Sequence, residues 1–160
     1  MAAFDLIKAD PLVGTNFFLE IDGSMISNLT SVDGLSVELE KADVTQRIQK
    51  GGYVQHVAMS KPKWTGELTV KRLAPLDATN DPLWKWFNTL RDGGMSAHNR
   101  AGERKDGSVV VYDTTLTEIG RWNFYKAWPS KIANDGFDVT KNEPVAESIT
   151  LQYEKLERKK

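Results

Sequence analysis

Two isolated histidines are the first side chains to consider for catalysis or metal binding. His56 and His98 each lie in a polar, loop-like stretch, and neither has a second histidine at helical spacing. A zinc site needs three or four clustered ligands, and cysteine, the other common zinc ligand, does not occur in the sequence. The sequence therefore indicates no metal site, and it excludes disulfides.

Paired carboxylates are the other arrangement that could do acid–base chemistry. Glu38 with Glu40, and Glu118 with Glu143, each supply two acids. Acids that alternate along a strand, as Glu38 and Glu40 do, are typical of a solvated face. The sequence also contains no nucleophile elbow, phosphate-binding loop or dinucleotide fingerprint. We therefore predict that the chain is not an enzyme and takes no cofactor and no small-molecule substrate.

Length and composition favour a single domain over residues 1–160. Hydrophobic residues make up 40% of the chain, enough for a core. The 21 basic and 22 acidic residues nearly cancel, so nothing indicates a polyanion-binding surface. The first residues mix acid and base with apolar side chains, unlike a signal peptide, and no apolar run could span a bilayer. We expect no direct insertion into a membrane and no export by the general secretory route.

Alternation of apolar and polar residues predicts a mainly β fold. Residues 16–22 put Phe17, Leu19 and Ile21 on one face, and the turn signal Asp22-Gly23 predicts a second strand close behind. Further strands are predicted within residues 31–40, 64–72, 108–112, 119–127 and 145–156. Six to eight antiparallel strands are therefore expected.

Three stretches depart from this alternation. Residues 41–60 have weak periodicity and contain Gly51-Gly52, which predicts a long loop of the kind that usually has a function. Pro129 cannot donate a ladder hydrogen bond, so its strand should stop near Trp128 or leave the sheet there. Residues 157–160 are expected to form a solvated basic tail.

One helix is predicted over residues 81–92. Asp81 suits the N-cap, Pro82 suits the first helical position, and Gly93-Gly94 suits the end. One apolar stripe runs along this helix and consists of Leu83, Trp86, Phe87 and Leu90. Since the stripe must pack on a sheet, we predict an antiparallel β-sandwich or partly open barrel with one flanking α-helix.

Several predicted strands carry one polar face. A monomer would turn this face to bulk solvent, whereas a barrel built from several subunits would turn it to a water-filled lumen. Periodicity alone leaves both arrangements open. The candidate lumen-facing residues are Ser36, Glu38, Glu40, Glu67, Thr69, Lys71, Ser148, Thr150, Gln152 and Glu154.

The aromatic run at residues 121–131 supplies the most specific part of a family resemblance. Its sequence is Arg-Trp-Asn-Phe-Tyr-Lys-Ala-Trp-Pro-Ser-Lys. The other stretches, in chain order, are residues 10–23, 32–38, 81–88 and 147–157. Together they resemble the inner tube proteins of contractile tails, which include phage tail tube proteins and the tube subunits of phage-tail-like injection particles. The motif residues expected in the core are Trp122, Phe124, Trp128 and Pro129.

This resemblance implies a structural subunit of a hollow tube. Hexameric rings would stack, strands of all subunits would close one continuous barrel, and contraction of a sheath would drive the tube through a target envelope. The implied partners are further copies of the chain, a sheath protein, a baseplate or spike hub, a tube-terminating cap, and cargo in the lumen (an effector protein or phage DNA). Assembly would occur in the cytoplasm of the producing cell.

The expected inter-ring contacts come from an extended N-terminal segment, residues 1–15, and from the loop at residues 41–60. These candidate contact residues are Asp10, Pro11, Leu12, Gln49, Gly51, Gly52 and Tyr53. A mixed, mildly acidic lumen would let cargo slide, because opposite charge would retain a polyanion.

Two alternatives remain at this point. The ring-forming tube protein of type VI secretion resembles the same fold, although the run around Trp122 favours phage-like tubes. A monomeric ligand-binding β-barrel is the other, and it should show an apolar interior cavity.

Overall fold

The computed structural model describes residues 16–47, 49–93 and 103–160. These residues form ten strands and one helix, so the predicted mainly β fold with one flanking helix is confirmed, with more strands than expected. In chain order the elements are β1 (Asn16–Ile21), β2 (Ser24–Leu29), β3 (Ser31–Asp33), β4 (Val37–Arg47), β5 (Tyr53–Trp64), β6 (Glu67–Leu73), α1 (Pro82–Asp92), β7 (Lys105–Tyr112), β8 (Glu118–Asn134), β9 (Ala146–Gln152) and β10 (Lys155–Arg158).

Strand β8 divides the main antiparallel sheet into two parts because it changes partners near its middle. Up to Ala127 it pairs with β7, and from Trp128 to Asn134 it pairs with β9. We call β2, β1, β7, the first half of β8 and β10 the first sheet. The second sheet consists of β3, β6, β9 and residues 128–134 of β8. Thr30 alone separates β2 from β3, so the chain also crosses between the two sheets there, as in a partly open barrel.

Pro129 does not end β8, and the expectation that the strand stops near Trp128 is wrong. The pairing with β9 is irregular between Pro129 and Lys131, which accommodates a residue that has no N–H to donate. Just before it, Lys126 has a φ of 56°, and its backbone N–H donates to Asp106 Oδ1 at 2.9 Å. The alternative expectation, that the strand leaves its sheet here, agrees with the structure, because β8 changes its partner from β7 to β9 at this point.

Most of the predicted loop at residues 41–60 is instead a β-hairpin, so that prediction is wrong. Strands β4 and β5 pair from Val37 and Trp64 to Arg47 and Tyr53. Apolar side chains on this hairpin are exposed, including Met59 at 87%. Because no face of the hairpin is buried in the body of the protein, its sequence lacks the alternation that reveals a half-buried strand.

Gly34 separates β3 from β4, although residues 31–40 were predicted as one strand. Gly34 has a φ of 96°, and a Cβ at this position would collide with the carbonyl oxygen of Glu67. The hairpin therefore turns away from the body at Gly34. Val37 and Leu39, which alternation placed on the apolar face, are consequently exposed.

Helix α1 matches its prediction closely. Asp81 is the N-cap and accepts a hydrogen bond from the backbone N–H of Trp84 at 3.1 Å, Pro82 occupies the first turn, and Gly93 is the C-cap. Leu83 is fully buried in the core. Within the described ranges, no helix is long and apolar enough to cross a membrane.

The core lies between the two sheets and the helix. Leu19 and Phe124 from the first sheet, and Leu68 and Ile149 from the second, are fully buried in one cluster. Each of them occupies the apolar face of an alternating strand, so burial of these side chains fixes the register of the sheets.

The C-terminal segment is more ordered than predicted. The expected single strand at residues 145–156 is interrupted at Tyr153 and Glu154, and β10 follows. Residues 157 and 158 belong to β10, and the N–H of Lys159 donates to the carbonyl oxygen of Arg121 at 2.8 Å. Residues 158–160 are nonetheless exposed to solvent, so the predicted tail differs from the structure only in its pairing with β8.

Candidate functional site on the second sheet

Polar side chains of neighbouring strands lie side by side on the outer face of the second sheet. Thr69 of β6 is opposite Thr150 of β9, which is opposite Lys131 of β8. Directly paired residues in an antiparallel sheet point to the same face. By this register, six of the predicted lumen-facing residues share one face: Glu67, Thr69, Lys71, Ser148, Thr150 and Gln152.

The other four predicted lumen-facing residues lie elsewhere. Ser36 is in the connection between β3 and β4, and Glu38 and Glu40 are in the hairpin. Glu154 is in the turn after β9 and accepts a hydrogen bond from Arg104 at 2.5 Å. These four residues are therefore not part of the polar face of the second sheet.

Two charged residues of this face were not predicted from the sequence. Asp33 is opposite Thr69, and Lys131 is opposite Thr150. Lys131 was missed because its strand was expected to stop near Trp128, and Asp33 was missed because β3 is only three residues long. With Glu67 and Lys71, they give this face two acids and two lysines.

A buried ion network lies behind the polar face and joins β6, β9 and α1. The guanidinium of Arg72 donates to both carboxylate oxygens of Asp81, at 2.8 and 2.7 Å, and to Glu147 Oε1 at 3.0 Å. The indole N–H of Trp84 donates to Glu147 Oε2 at 3.3 Å. The side chains of Arg72, Asp81 and Glu147 are only 4%, 9% and 2% exposed. The network thus holds the start of α1 against the sheet face that is opposite to the polar one.

The electrostatic state of this network follows from its contacts. Burial raises the pKa of Asp81, but the hydrogen bonds from Arg72 and from the backbone N–H of Trp84 outweigh burial, so the pKa of Asp81 is lowered. Sequence reasoning missed the network. The sequence feature that could have revealed the network is a pair of opposite charges, Arg72 and Glu147, at positions on the apolar faces of two alternating strands.

Both lateral edges of the second sheet are free of strand partners within the described part of the chain. On one side β3 pairs only with β6, and on the other side residues 128–134 of β8 pair only with β9. The backbone groups of such edges can pair with strands of another chain. The second sheet therefore combines a polar face with two edges that can be extended.

The four motif residues do not all lie in the core. Phe124 is fully buried, Pro129 is buried, and Trp122 packs against the core while Arg158 lies 5.2 Å over its ring. Trp128 is 36% exposed and lines a surface cavity, so its predicted place in the core is wrong.

The predicted inter-ring residues fall into two groups. Gln49, Gly51, Gly52 and Tyr53 lie at the tip of the hairpin, and all but Gly52 are exposed there. Asp10, Pro11 and Leu12, like the whole segment 1–15, are outside the described residues, as is His98. His56 is exposed on β5, and among the residues that the structure describes no cluster of metal-ligating side chains occurs.

Comparison with protein families identifies the class to which this chain belongs. Residues 13–157 match the family described as T4-like virus tail tube protein gp19. Because this match covers most of the chain, the chain belongs to that family, and the resemblance to contractile-tail tube proteins is confirmed. Its role is that of a structural subunit of a tail tube. Comparison with curated protein sequences gave no significant match.

Solved structures of contractile injection systems share the fold. A chain of the PVC sheath/tube terminator in the extended state aligns with a TM-score of 0.69 and 18% identity, covering 96% of this chain and 100% of that one. A chain of the PVC sheath–tube complex aligns with a TM-score of 0.65 and 18% identity over 99% of both chains. A chain of the anti-feeding prophage tube-terminating cap aligns with a TM-score of 0.68 and 17% identity, also over 99% of both.

Proposed function

We propose that six copies of this chain form a ring and that the rings stack into the inner tube of a phage-tail-like contractile injection particle. The observation that carries the proposal is the second sheet, which has a polar outer face and two extendable edges. Membership of the tail tube family supports the tube. A similar chain from a prophage baseplate structure that was symmetrised six-fold supports the ring of six.

Edge pairing explains how the ring closes. Strand β3 of one copy pairs with residues 128–134 of β8 in its neighbour, so each copy contributes the four strands of its second sheet to one barrel. Closure of the barrel leaves no free edge, and a free edge would otherwise template aggregation. The polar face lines the lumen, and α1, on the opposite face, points away from it towards the sheath.

The charge of the proposed lumen suits passage of cargo. Asp33 and Glu67 are balanced by Lys71 and Lys131 on the same face. A face without net charge exerts little long-range attraction on a charged effector protein or on DNA. The variant Glu67→Lys should slow delivery of an acidic cargo, while Asp77→Lys, in the exposed connection before α1, should leave delivery unchanged.

The hairpin β4–β5 provides a second contact. An isolated two-stranded hairpin is only marginally stable in water, and this one leaves apolar side chains uncovered on the single chain. We assign its tip, which includes Gln49, Gly51, Gly52 and Tyr53, to contact with the adjacent ring. Replacing residues 41–59 by a short turn should permit rings but prevent tubes.

The tube so formed has a mechanical role, not a catalytic one. Its partners are the sheath, the baseplate or spike hub and the tube-terminating cap, and it assembles in the cytoplasm of the producing cell. The similar chains from a sheath–tube complex, a cap and a baseplate support this set of partners.

The decisive experiment combines negative-stain electron microscopy with the solution mass of the purified chain. Hollow rings or stacked tubes with six-fold symmetry are the expected result. A chain that stays monomeric even when sheath and baseplate proteins are present would overturn the proposal and favour a ligand-binding barrel.

A further inference from the structure

The two ends of the second sheet carry unlike features. At one end, which we call the loop end, β8 connects to β9 through residues 135–145. At the other end, which we call the pocket end, Trp128 of β8 lies opposite Gln152 of β9. A surface cavity is located at the pocket end, next to the C-terminal turn of α1.

The loop end presents exposed apolar side chains on a shaped loop. Phe137 is 79% exposed and Val139 is fully exposed. Between them, Asp138 Oδ1 accepts hydrogen bonds from the N–H and the hydroxyl of Thr140, at 2.9 and 2.6 Å. The N–H of Asp135 donates to the carbonyl oxygen of Ala146 at 2.9 Å and ties the base of the loop to the sheet. The two apolar side chains are thus held out from the sheet by local hydrogen bonds.

The cavity at the pocket end can accept such a side chain. It has a volume of about 350 Å³. An apolar cavity of about 150 Å³ already holds a benzene ring. Its walls come from the last turns of α1, from the residue before β7 and from the middle of β8, and consist of Phe87, Leu90, Arg91, Arg104, Trp128, Pro129 and Ser130.

Strand β8 relates the loop to the cavity. The strand runs from the cavity wall at Trp128 to the start of the loop after Asn134, a distance of about 20 Å at the rise of a β-strand. When copies stack head to tail, the loop end of one copy faces the pocket end of the next. A projecting group at one end and a cavity at the other form a heterologous contact, which repeats without limit along a filament.

We propose that Phe137 of each copy inserts into this cavity of a copy in the adjacent ring. The inference rests on the proposed tube and adds the residues that join its rings. The phenyl ring of Phe137 packs against Phe87, Leu90 and Trp128, and this contact covers the exposed Trp128.

The charges of the two surfaces favour the same arrangement. Among the described residues, the cavity wall contains two arginines and no acid, whereas the loop contains three acids, Asp135, Asp138 and Glu143, and one lysine. Arg104 already binds Glu154, and Arg91 already binds Asp92. Because each arginine already has a carboxylate partner, its attraction for the loop is small, and burial of the phenyl ring provides the main driving force.

The first test compares serine variants of two apolar residues that are similarly exposed. Phe137→Ser should reduce the association constant of each ring-to-ring contact at least about tenfold, because burial of one phenylalanine corresponds to at least that change. We expect rings but few tubes in sedimentation and negative-stain images. Leu116→Ser is the matched control, since Leu116 is 72% exposed in the turn between β7 and β8. This variant should form as many tubes as the unmodified chain.

The second test uses the absence of native cysteine. In the double variant Gly136→Cys/Ser130→Cys, which keeps Phe137 and places a cysteine beside it where a side chain has open space, oxidation of assembled tubes should link copies of successive rings through disulfides. Non-reducing gels should then show a ladder that continues beyond six copies, whereas links within one ring would stop at six. The control pair Gly136→Cys/Leu116→Cys should give no ladder.

The outcomes separate this inference from the proposed function. The inference would be overturned if Phe137→Ser formed normal tubes. It would also be overturned if the double variant assembled into tubes but gave no ladder. Neither result would contradict the proposed tube. A ladder that ends at six would also overturn the inference. Failure of the unmodified chain to form rings or tubes with its partners would overturn both.

Discussion

The buried network around Arg72 gives the sharpest prediction about the fold, and the substitution that tests it is Asp81→Ala. Asp81 has two roles, since it caps α1 through the N–H of Trp84 and binds both terminal nitrogens of Arg72. The substitution removes the cap and leaves a buried guanidinium with Glu147 as its one remaining carboxylate partner among the described contacts.

The magnitude follows from these two losses. Loss of an aspartate N-cap costs about 1 kcal/mol. Removing one partner of a buried ion pair costs about 3 to 5 kcal/mol, and we take about 3 because Glu147 still binds Arg72. Asp81→Ala should therefore lower the free energy of unfolding by about 4 kcal/mol. Asp81→Asn, which retains a good cap, should lower it by about 3 kcal/mol.

Urea unfolding at one protein concentration and one oligomeric state measures this difference, because assembly itself adds apparent stability. The matched control is Asp77→Ala, an exposed aspartate of the same connection whose partners among the described residues are Thr79 and Asn80. It should change stability by about 0.5 kcal/mol. If Asp81→Ala loses no more than Asp77→Ala, the network does not stabilise the fold.

The same network predicts a dependence on pH. Since the folded-state pKa of Asp81 lies below its ordinary value of 3.8, its ionised form stabilises the fold above that pH. This contribution is lost as the pH falls through the lowered pKa. Between pH 5 and pH 2 the unmodified chain should therefore lose more stability than Asp81→Asn does. Parallel curves for the two proteins would refute the assignment.

Three further predictions concern single residues. Gly107→Ala should destabilise the fold by about 1 to 3 kcal/mol, because its Cβ would lie 2.6 Å from the carbonyl oxygen of Glu20, whereas Gly136→Ala, with open space around it, should not. Lys126→Gly should increase the free energy of unfolding by about 0.5 to 1 kcal/mol, and raise the melting temperature with it, since it removes the strain of a left-handed backbone at a residue with a side chain. Carboxyl NMR should find the pKa of Glu157 lowered to about 2 by hydrogen bonds from lysines 155 and 159, and an ordinary value would contradict those contacts.

Sequence reasoning succeeded where one face of an element is buried in this chain. Phe17, Leu19 and Ile21 revealed β1 because the core selects every second residue. Helix α1 was predicted to its ends because Asp81 and Gly93 supply local capping chemistry that needs no distant partner.

It failed where the structure depends on contacts outside the local pattern. The hairpin β4–β5 buries neither face in the body of the protein, so no periodicity distinguished it from a loop. The course of β8 past Pro129 depends on β9, a partner that lies some twenty residues further along the chain. On the polar face, the six residues of β6 and β9 were found because their strands have a buried reverse side, whereas Lys131 depended on the missed half of β8.

Strand β8 separates folding from assembly along its length. Its first half places Phe124 in the core, and its second half provides the sheet edge, one wall of the cavity and the approach to Phe137. Phe124→Ala should therefore cost about 3 to 5 kcal/mol and reduce the amount of folded chain, with rings and tubes lost in proportion. Phe137→Ser should leave the melting temperature of the single chain unchanged and reduce the tubes alone. Equal losses of stability in both variants would show that the second half of β8 and its loop are required for folding, and that the two functions of the strand are not separable.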